Sequence, residues 1–138
     1  MALVLDTGPI VALLDASDPE HERCVAMVGN VGEDLVIPAA VLIEVDYWLL
    51  KLYGHEPWQT FVEDIAKGAY RLHPLTEQTM TRAAQLERDY APLDLGLVDA
   101  SVIVTCEELN EPKVATLDRR DFSVVRPRHR DHLALLPE

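Results

Sequence analysis

Short apolar runs alternating with longer segments of helical periodicity predict an α/β fold: a parallel sheet covered by helices on both faces. Two further observations frame that expectation. A chain of 138 residues, 49% of them hydrophobic, can bury a single core without a disulfide or a structural metal. No low-complexity linker, internal repeat or compositional break marks a second domain, so residues 1–138 read as one soluble unit.

The elements follow in chain order. An apolar run over residues 2–5 ends at Asp6-Thr7-Gly8-Pro9, where strand gives way to a helix over residues 10–14 with proline near its start. Asp18 caps a second helix to about Gly29, with Pro19 at its first position. Residues 35–37 form a short strand. Pro38 begins a long helix to about Tyr53, in which Val41, Val45, Trp48, Leu49 and Leu52 recur every three or four residues, and Gly54 stops it. A helix over residues 56–67, a short strand at 70–72 and a helix from the Thr76 cap to about Tyr90 come next. After a loop at 92–96, residues 97–109 read as a helix, 113–117 as a strand and 122–125 as a last strand. A polar, arginine-rich tail covers about residues 126–138.

Twelve Lys+Arg against 24 Asp+Glu give a formal charge of −12. That excludes a protein gripping duplex nucleic acid by a broad cationic face, since neutralising phosphates needs Lys and Arg. It does not exclude a nuclease that uses carboxylates to hold metal. The charge is also uneven: residues 113–132 sum to +3 and hold half of all the Lys and Arg. Arg119, Arg126, Arg128 and Arg130 in this segment read either as a solvated terminal tail or as a basic rim able to track a single-stranded nucleic-acid backbone. Cys24 and Cys106, far apart and in no C-x-x-C pattern, read as reduced, buried thiols. The N-terminal run has no basic n-region and no cleavage site, and no apolar run approaches a membrane span, so a cytoplasmic protein is expected.

The acids carry the chemistry. In an open parallel sheet, ligands bind outside the carboxyl ends of the strands where strand order reverses, and Asp6 and Asp118 each follow a predicted strand. Asp6 also suits a turn or helix cap. Glu44 interrupts the apolar stripe of the long helix and is expected to face inward, where a carboxylate must be paired or bound to metal. Asp46, about 200° around the helix, should face water. Asp99 lies in the first turn of the helix over residues 97–109, a position the helix dipole favours for any carboxylate. Together these acids make a cluster of hard oxygen ligands suited to Mg²⁺ or Mn²⁺; without metal they would repel one another. Thr7 and Thr116 supply hydroxyls or amides that orient water or carboxylates. Asp94 reads as loop polarity. His21, His55 and His73 read as surface residues, His129 and His132 as part of a polar tail, and Tyr47, Trp48, Tyr53 and Trp58 as core or dimer-interface residues.

Four segments, in order, resemble the motifs of PIN-domain ribonucleases: Leu3-Val4-Leu5-Asp6-Thr7-Gly8, Ile37-Pro38-Ala39-Ala40-Val41-Leu42-Ile43-Glu44, Leu97-Val98-Asp99-Ala100-Ser101, and Val114-Ala115-Thr116-Leu117-Asp118-Arg119-Arg120-Asp121-Phe122. Within that family the size and motif details resemble the VapC-type toxin of toxin–antitoxin pairs. The resemblance runs from Ala2 to about Val125. It implies a three-layer α/β/α sandwich, Mg²⁺- or Mn²⁺-dependent endoribonuclease activity on a transfer or ribosomal RNA loop, and a homodimer inhibited by a cognate antitoxin. Its acids carry over to Asp6, Glu44, Asp99 and Asp118, with Asp121 the second choice for the fourth. Hydrolysis would leave a 5′-phosphate and a 3′-hydroxyl. Two other classes compete: a catalytically inactive PIN-like module binding a basic protein, against which the intact acids argue, and a phospho-acceptor receiver domain. The receiver needs paired acids at the first strand end, where Asp6 stands alone.

Overall fold

A computed structural model describes residues 1–138. In chain order the elements are β1 (Ala2–Leu5), α1 (Thr7–Leu14), α2 (His21–Val31), β2 (Asp34–Pro38), α3 (Ala39–Tyr53), α4 (Glu56–Ala66), β3 (Arg71–His73), α5 (Glu77–Asp89), α6 (Leu97–Leu109), β4 (Lys113–Ala115), α7 (Arg119–Val124) and β5 (Ala134–Leu136), with a single 3₁₀ turn at Ala91–Leu93. The five strands form one sheet in the order β3-β2-β1-β4-β5, every neighbouring pair parallel. All four residues of β1 are buried. Successive side chains point to opposite faces, so helices cover both sides of the central strand. This is the three-layer α/β/α arrangement.

Local chemistry sets most boundaries. The Thr76 hydroxyl accepts the Thr79 N–H at 3.1 Å and starts α5. Gly54, at φ 89°, ends α3 in a conformation that costs other residues strain. Val41, Val45 and Leu49, fully buried at four-residue spacing, fix α3 against the core. Cys24 and Cys106 are free and buried.

The structure departs from the sequence reading in several places. Asp18 does not cap α2. Its Oδ1 accepts the Glu20 N–H at 2.8 Å and its carbonyl the His21 N–H at 3.0 Å, making a turn that holds Pro19 ahead of the helix. The helix then runs through Gly29 to Val31 and ends at Gly32. Trp48 and Leu52, expected in the buried stripe of α3, are 39% and 54% exposed. β4 stops at Ala115, short of Leu117.

The largest correction concerns the C-terminal segment. Residues 122–125 are not a strand: they lie in and just after α7, with Phe122 and Val125 buried and Ser123 and Val124 exposed. That is helical spacing, where a strand would alternate. The last strand lies instead within the segment read as a tail. Leu133 and Leu135 are buried, Ala134 between them is exposed, and β5 pairs with β4 from Lys113–Ala134 to Ala115–Leu136. Arg119 helps hold it, donating to the Pro137 carbonyl at 2.9 Å.

Candidate functional site

The connections from β1 to β2 to β3 step one way across the sheet, and that from β4 to β5 steps the other way, so strand order reverses between β1 and β4. Chain segments leaving the C-terminal ends of these two strands diverge and open a crevice. Asp6 stands at its floor. Its N–H donates to the Ala115 carbonyl at 2.9 Å, tying it to the end of β4. Its Oδ1 accepts the Thr7 N–H at 2.8 Å, capping α1, and its Oδ2 accepts the Thr116 hydroxyl at 2.9 Å. The Thr116 oxygen in turn accepts the Asp118 N–H at 3.0 Å. One buried threonine therefore holds the Asp6 carboxylate and the backbone of Asp118. Gly8 lets α1 pass close to the loop after β4, since a Cβ there would lie 3.3 Å from Leu117 Cβ.

The crevice is an open groove of about 490 Å³ lined by Asp6, Thr7, Glu44, Asp99 and Asp118, together with Asp18 and the apolar side chains Val11, Trp48, Leu52 and Leu117. Four sequence-predicted acids, from β1, α3, α6 and the loop after β4, thus meet at one place. Glu44 does not point into the core: it is half-buried on the groove wall, and Glu44, Trp48 and Leu52 form a stripe of their own beside the buried one. Asp46 is exposed. Asp121 is 9% exposed in α7 and does not line the groove. Asp94 sits exposed at the end of the 3₁₀ turn.

No lysine, arginine or histidine lines this groove, and the acids perturb one another. Burial raises the Asp6 carboxyl above its ordinary range; hydrogen bonds from Thr7 and Thr116 oppose this, and the charges of Glu44 and Asp118 add to it. Asp99 is pushed up to about 7, first by burial and then by Asp6, Asp118, Glu44 and Asp121. The Thr7 hydroxyl, buried in the same groove, has no hydrogen-bond partner. Uncompensated carboxylates beside an orphaned hydroxyl form a hard-oxygen donor set that fits a divalent cation. As they stand, no three acids converge on a single point to hold an ion by direct contact alone. The set therefore suits a cation that keeps much of its water and takes one or two carboxylates directly.

The arginines are elsewhere. None of Arg119, Arg126, Arg128 and Arg130 lines the groove. Arg119 is engaged with the C-terminal carbonyls. Arg126 lies 3.6 Å from Asp131, Arg128 donates to Gln85 at 3.0 Å, and Arg130 donates to the His129 carbonyl. Because β5 runs parallel to β4, residues 126–133 must carry the chain back to the starting end of the sheet, away from the acids. Arg126, Arg128 and Arg130 therefore form no basic rim beside the groove, and Arg119, next to Asp118 in the chain, gives its guanidinium to the C-terminal carbonyls. Sequence reasoning also missed the groove positions of Asp18, read only as a cap, and of Trp48, whose four-residue spacing from Glu44 was the available signal.

The family model of the PIN domain matches residues 3–126. Ribonuclease VapC26 of Mycobacterium tuberculosis is 27% identical over 125 residues, spanning 91% of this chain and 93% of that protein. Among solved structures, Mycobacterium tuberculosis VapC20, described as a sarcin-ricin loop cleaving toxin, superposes with a TM-score of 0.75 at 17% identity over 81% of this chain and 86% of its own. VapBC2 from Rickettsia felis, bound to a DNA fragment from its promoter, gives 0.68 at 14% identity over 98% and 97%. FitAcB from Neisseria gonorrhoeae gives 0.63 at 24% identity over 86% and 88%. At these identities the solved structures speak to the fold.

Proposed function

The chain belongs to the PIN-domain family, and on that basis we propose that it is a metal-dependent endoribonuclease, a VapC-type toxin that hydrolyses RNA phosphodiester bonds and is held in check by a cognate antitoxin. The observation that carries this reading is the groove at the β1/β4 reversal, where Asp6, Glu44, Asp99 and Asp118 meet with no basic side chain to balance them. Mg²⁺, or Mn²⁺ in its place, would be held by Asp6 and Asp99 with Glu44 and Asp118 beside them. When bound, such a cation supplies Lewis acidity that stabilises charge on the phosphoryl oxygens and lowers the pKa of water.

The chain's own residues do the rest. Thr116 and the Thr7 N–H hold the Asp6 carboxylate in one orientation, so little reorganisation is needed when phosphate arrives. Thr7 offers a free hydroxyl to a water or phosphoryl oxygen. Asp99, whose carboxyl is pushed up to about 7 by burial and the neighbouring carboxylates, would give up its proton and become a charged ligand as a cation binds. Water would attack phosphorus and the bond to the 3′ oxygen would break, leaving a 5′-phosphate and a 3′-hydroxyl. No histidine is required.

The substrate we favour is an exposed loop of transfer or ribosomal RNA in the cytoplasm, and no helix is long and apolar enough to cross a membrane. An exposed apolar face on α3, formed by Ile43, Tyr47 and Leu50, supports a homodimer. Structural neighbours that are toxin–antitoxin complexes support an antitoxin partner. The test is RNA cleavage by wild type, Asp6→Asn and Asp99→Asn with Mg²⁺ or Mn²⁺. Wild type should cleave and EDTA should stop it, while both variants fall to background. Undiminished cleavage in both variants, or indifference to EDTA, would overturn the proposal.

A further inference from the structure

Trp48 lies on α3 one turn beyond Glu44 and opens onto the same groove as the acids. α3 is already held by Val41, Val45 and Leu49, each fully buried, while the indole is 39% exposed. Its packing therefore does not account for its position. Tyr47 meets it edge to face, ring centroids 5.3 Å apart at 84°. The Lys51 ammonium lies 5.5 Å from its ring centroid and 3.4 Å from the Tyr47 hydroxyl. A pinned indole thus stands on the wall of a groove whose charged side chains are all carboxylates, with a cation beside it, Lys51, that does not itself line the groove. Ile43 and Leu50 lie more than 100° around the helix from Trp48, with Tyr47 between them and packed against the indole.

We propose that Trp48 is a base-stacking platform, with Lys51 contacting the backbone of the same strand, so that the groove takes an unpaired nucleotide beside the bond to be cut. This rests on the ribonuclease reading and names the residue by which the groove would select an unpaired nucleotide. Every nucleobase presents an aromatic face to an indole, and a nearby cation serves the phosphates. A base within a duplex is stacked on its neighbours and cannot lie flat on Trp48, which selects loops, bulges and ends. One helical turn from Glu44 to Trp48, about 6 Å, places the platform within one nucleotide of the acids. Stacking of this kind acts on substrate affinity and leaves the chemical step to the acids, so Trp48 is a positioning and specificity residue.

Binding is measured in EDTA, where no cleavage occurs, with a single-stranded 10-nucleotide oligoribonucleotide and the same sequence in a duplex. Trp48→Ala should weaken single-strand binding by roughly 5- to 150-fold and leave the weak duplex binding unchanged. Trp48→Phe should restore most of the loss. In a Trp58→Phe background, where Trp48 is the one indole, single-stranded RNA should quench its fluorescence, a readout that does not depend on the alanine variant folding. With Mg²⁺ the Trp48→Ala effect should fall on KM, with kcat nearly unchanged. If wild type cleaves single-stranded RNA but Trp48→Ala binds it equally well and no quenching occurs, the platform is wrong and the ribonuclease reading stands. If Trp48→Ala changes only the oligomeric state, the indole is covered by a second copy and the inference falls. If wild type neither binds nor cleaves RNA, both readings fall.

Discussion

Replacing Asp99 by asparagine should stabilise the metal-free protein at pH 8 while abolishing cleavage. The Asp99 carboxyl rises from an ordinary 3.8 to about 7 in the folded chain, through burial and the fields of Asp6, Asp118, Glu44 and Asp121. Below pH 4 the site is protonated folded or unfolded. Between the two values the folded state keeps a proton that the unfolded state releases, so stability falls as pH rises, and the whole cost is present above pH 7. Taken in full the shift amounts to ~4 kcal/mol. Asp99 is only half-buried, and solvent screening reduces that to about 1–2 kcal/mol. Asparagine keeps the shape and one oxygen but carries no charge. Urea unfolding in EDTA should therefore show the variant about 1–2 kcal/mol more stable at pH 8, with the advantage several-fold smaller at about pH 4.5. Mg²⁺ should reverse the order. Wild type gains roughly 2.7 kcal/mol at a hundred times its dissociation constant, and the variant gains less. A variant no more stable than wild type at pH 8 in EDTA would refute the account of the groove as mutually repelling carboxylates.

Two other perturbations separate the groove from its surroundings. Thr116→Val removes the donor to Asp6 Oδ2 and the acceptor for the Asp118 N–H, and should weaken metal affinity about 10- to 100-fold, read from the Mn²⁺ dependence of cleavage; an unchanged dependence would show that Thr116 does not orient the acids. Reversing Arg126, Arg128 and Arg130 to glutamate should leave cleavage of a short oligonucleotide within about twofold of wild type, since distant sites act independently. A tenfold loss would mean that this loop reaches the cut after all.

Much of the candidate site is legible in the sequence. Asp6 and Asp118 sit where apolar runs end, and a parallel sheet brings such ends to one edge. Asp99 opens a helix whose bounds the sequence predicts to the residue, at Leu97 and Leu109. Glu44 stands out because a carboxylate within an apolar stripe needs a partner, although it faces the groove and not, as the stripe implies, the core. The errors share one cause. On α3 the residues Val45 and Trp48 fit the same three- and four-residue periodicity, yet one is fully buried and the other faces the groove. Periodicity marks a stripe but cannot say where the core ends and an open groove begins.

The C-terminal segment makes the same point on a larger scale. Phe122-Ser123-Val124-Val125 is rich in strand-forming residues, and α7 forms there because Phe122 and Val125 are buried together on one side of a turn. Ala134-Leu135-Leu136 became a strand because β4 presented an unpaired edge. Local sequence determined the end of β1, the Thr76 cap, most helix bounds and the identity of the acids, because backbone preference, capping and side-chain period act within a few residues. Tertiary structure alone decided which face of α3 meets the groove, which C-terminal segment completes the sheet, and that Arg126, Arg128 and Arg130 do not line the groove. Those outcomes depend on partners contributed by distant segments, and no local window contains the surface that selects them.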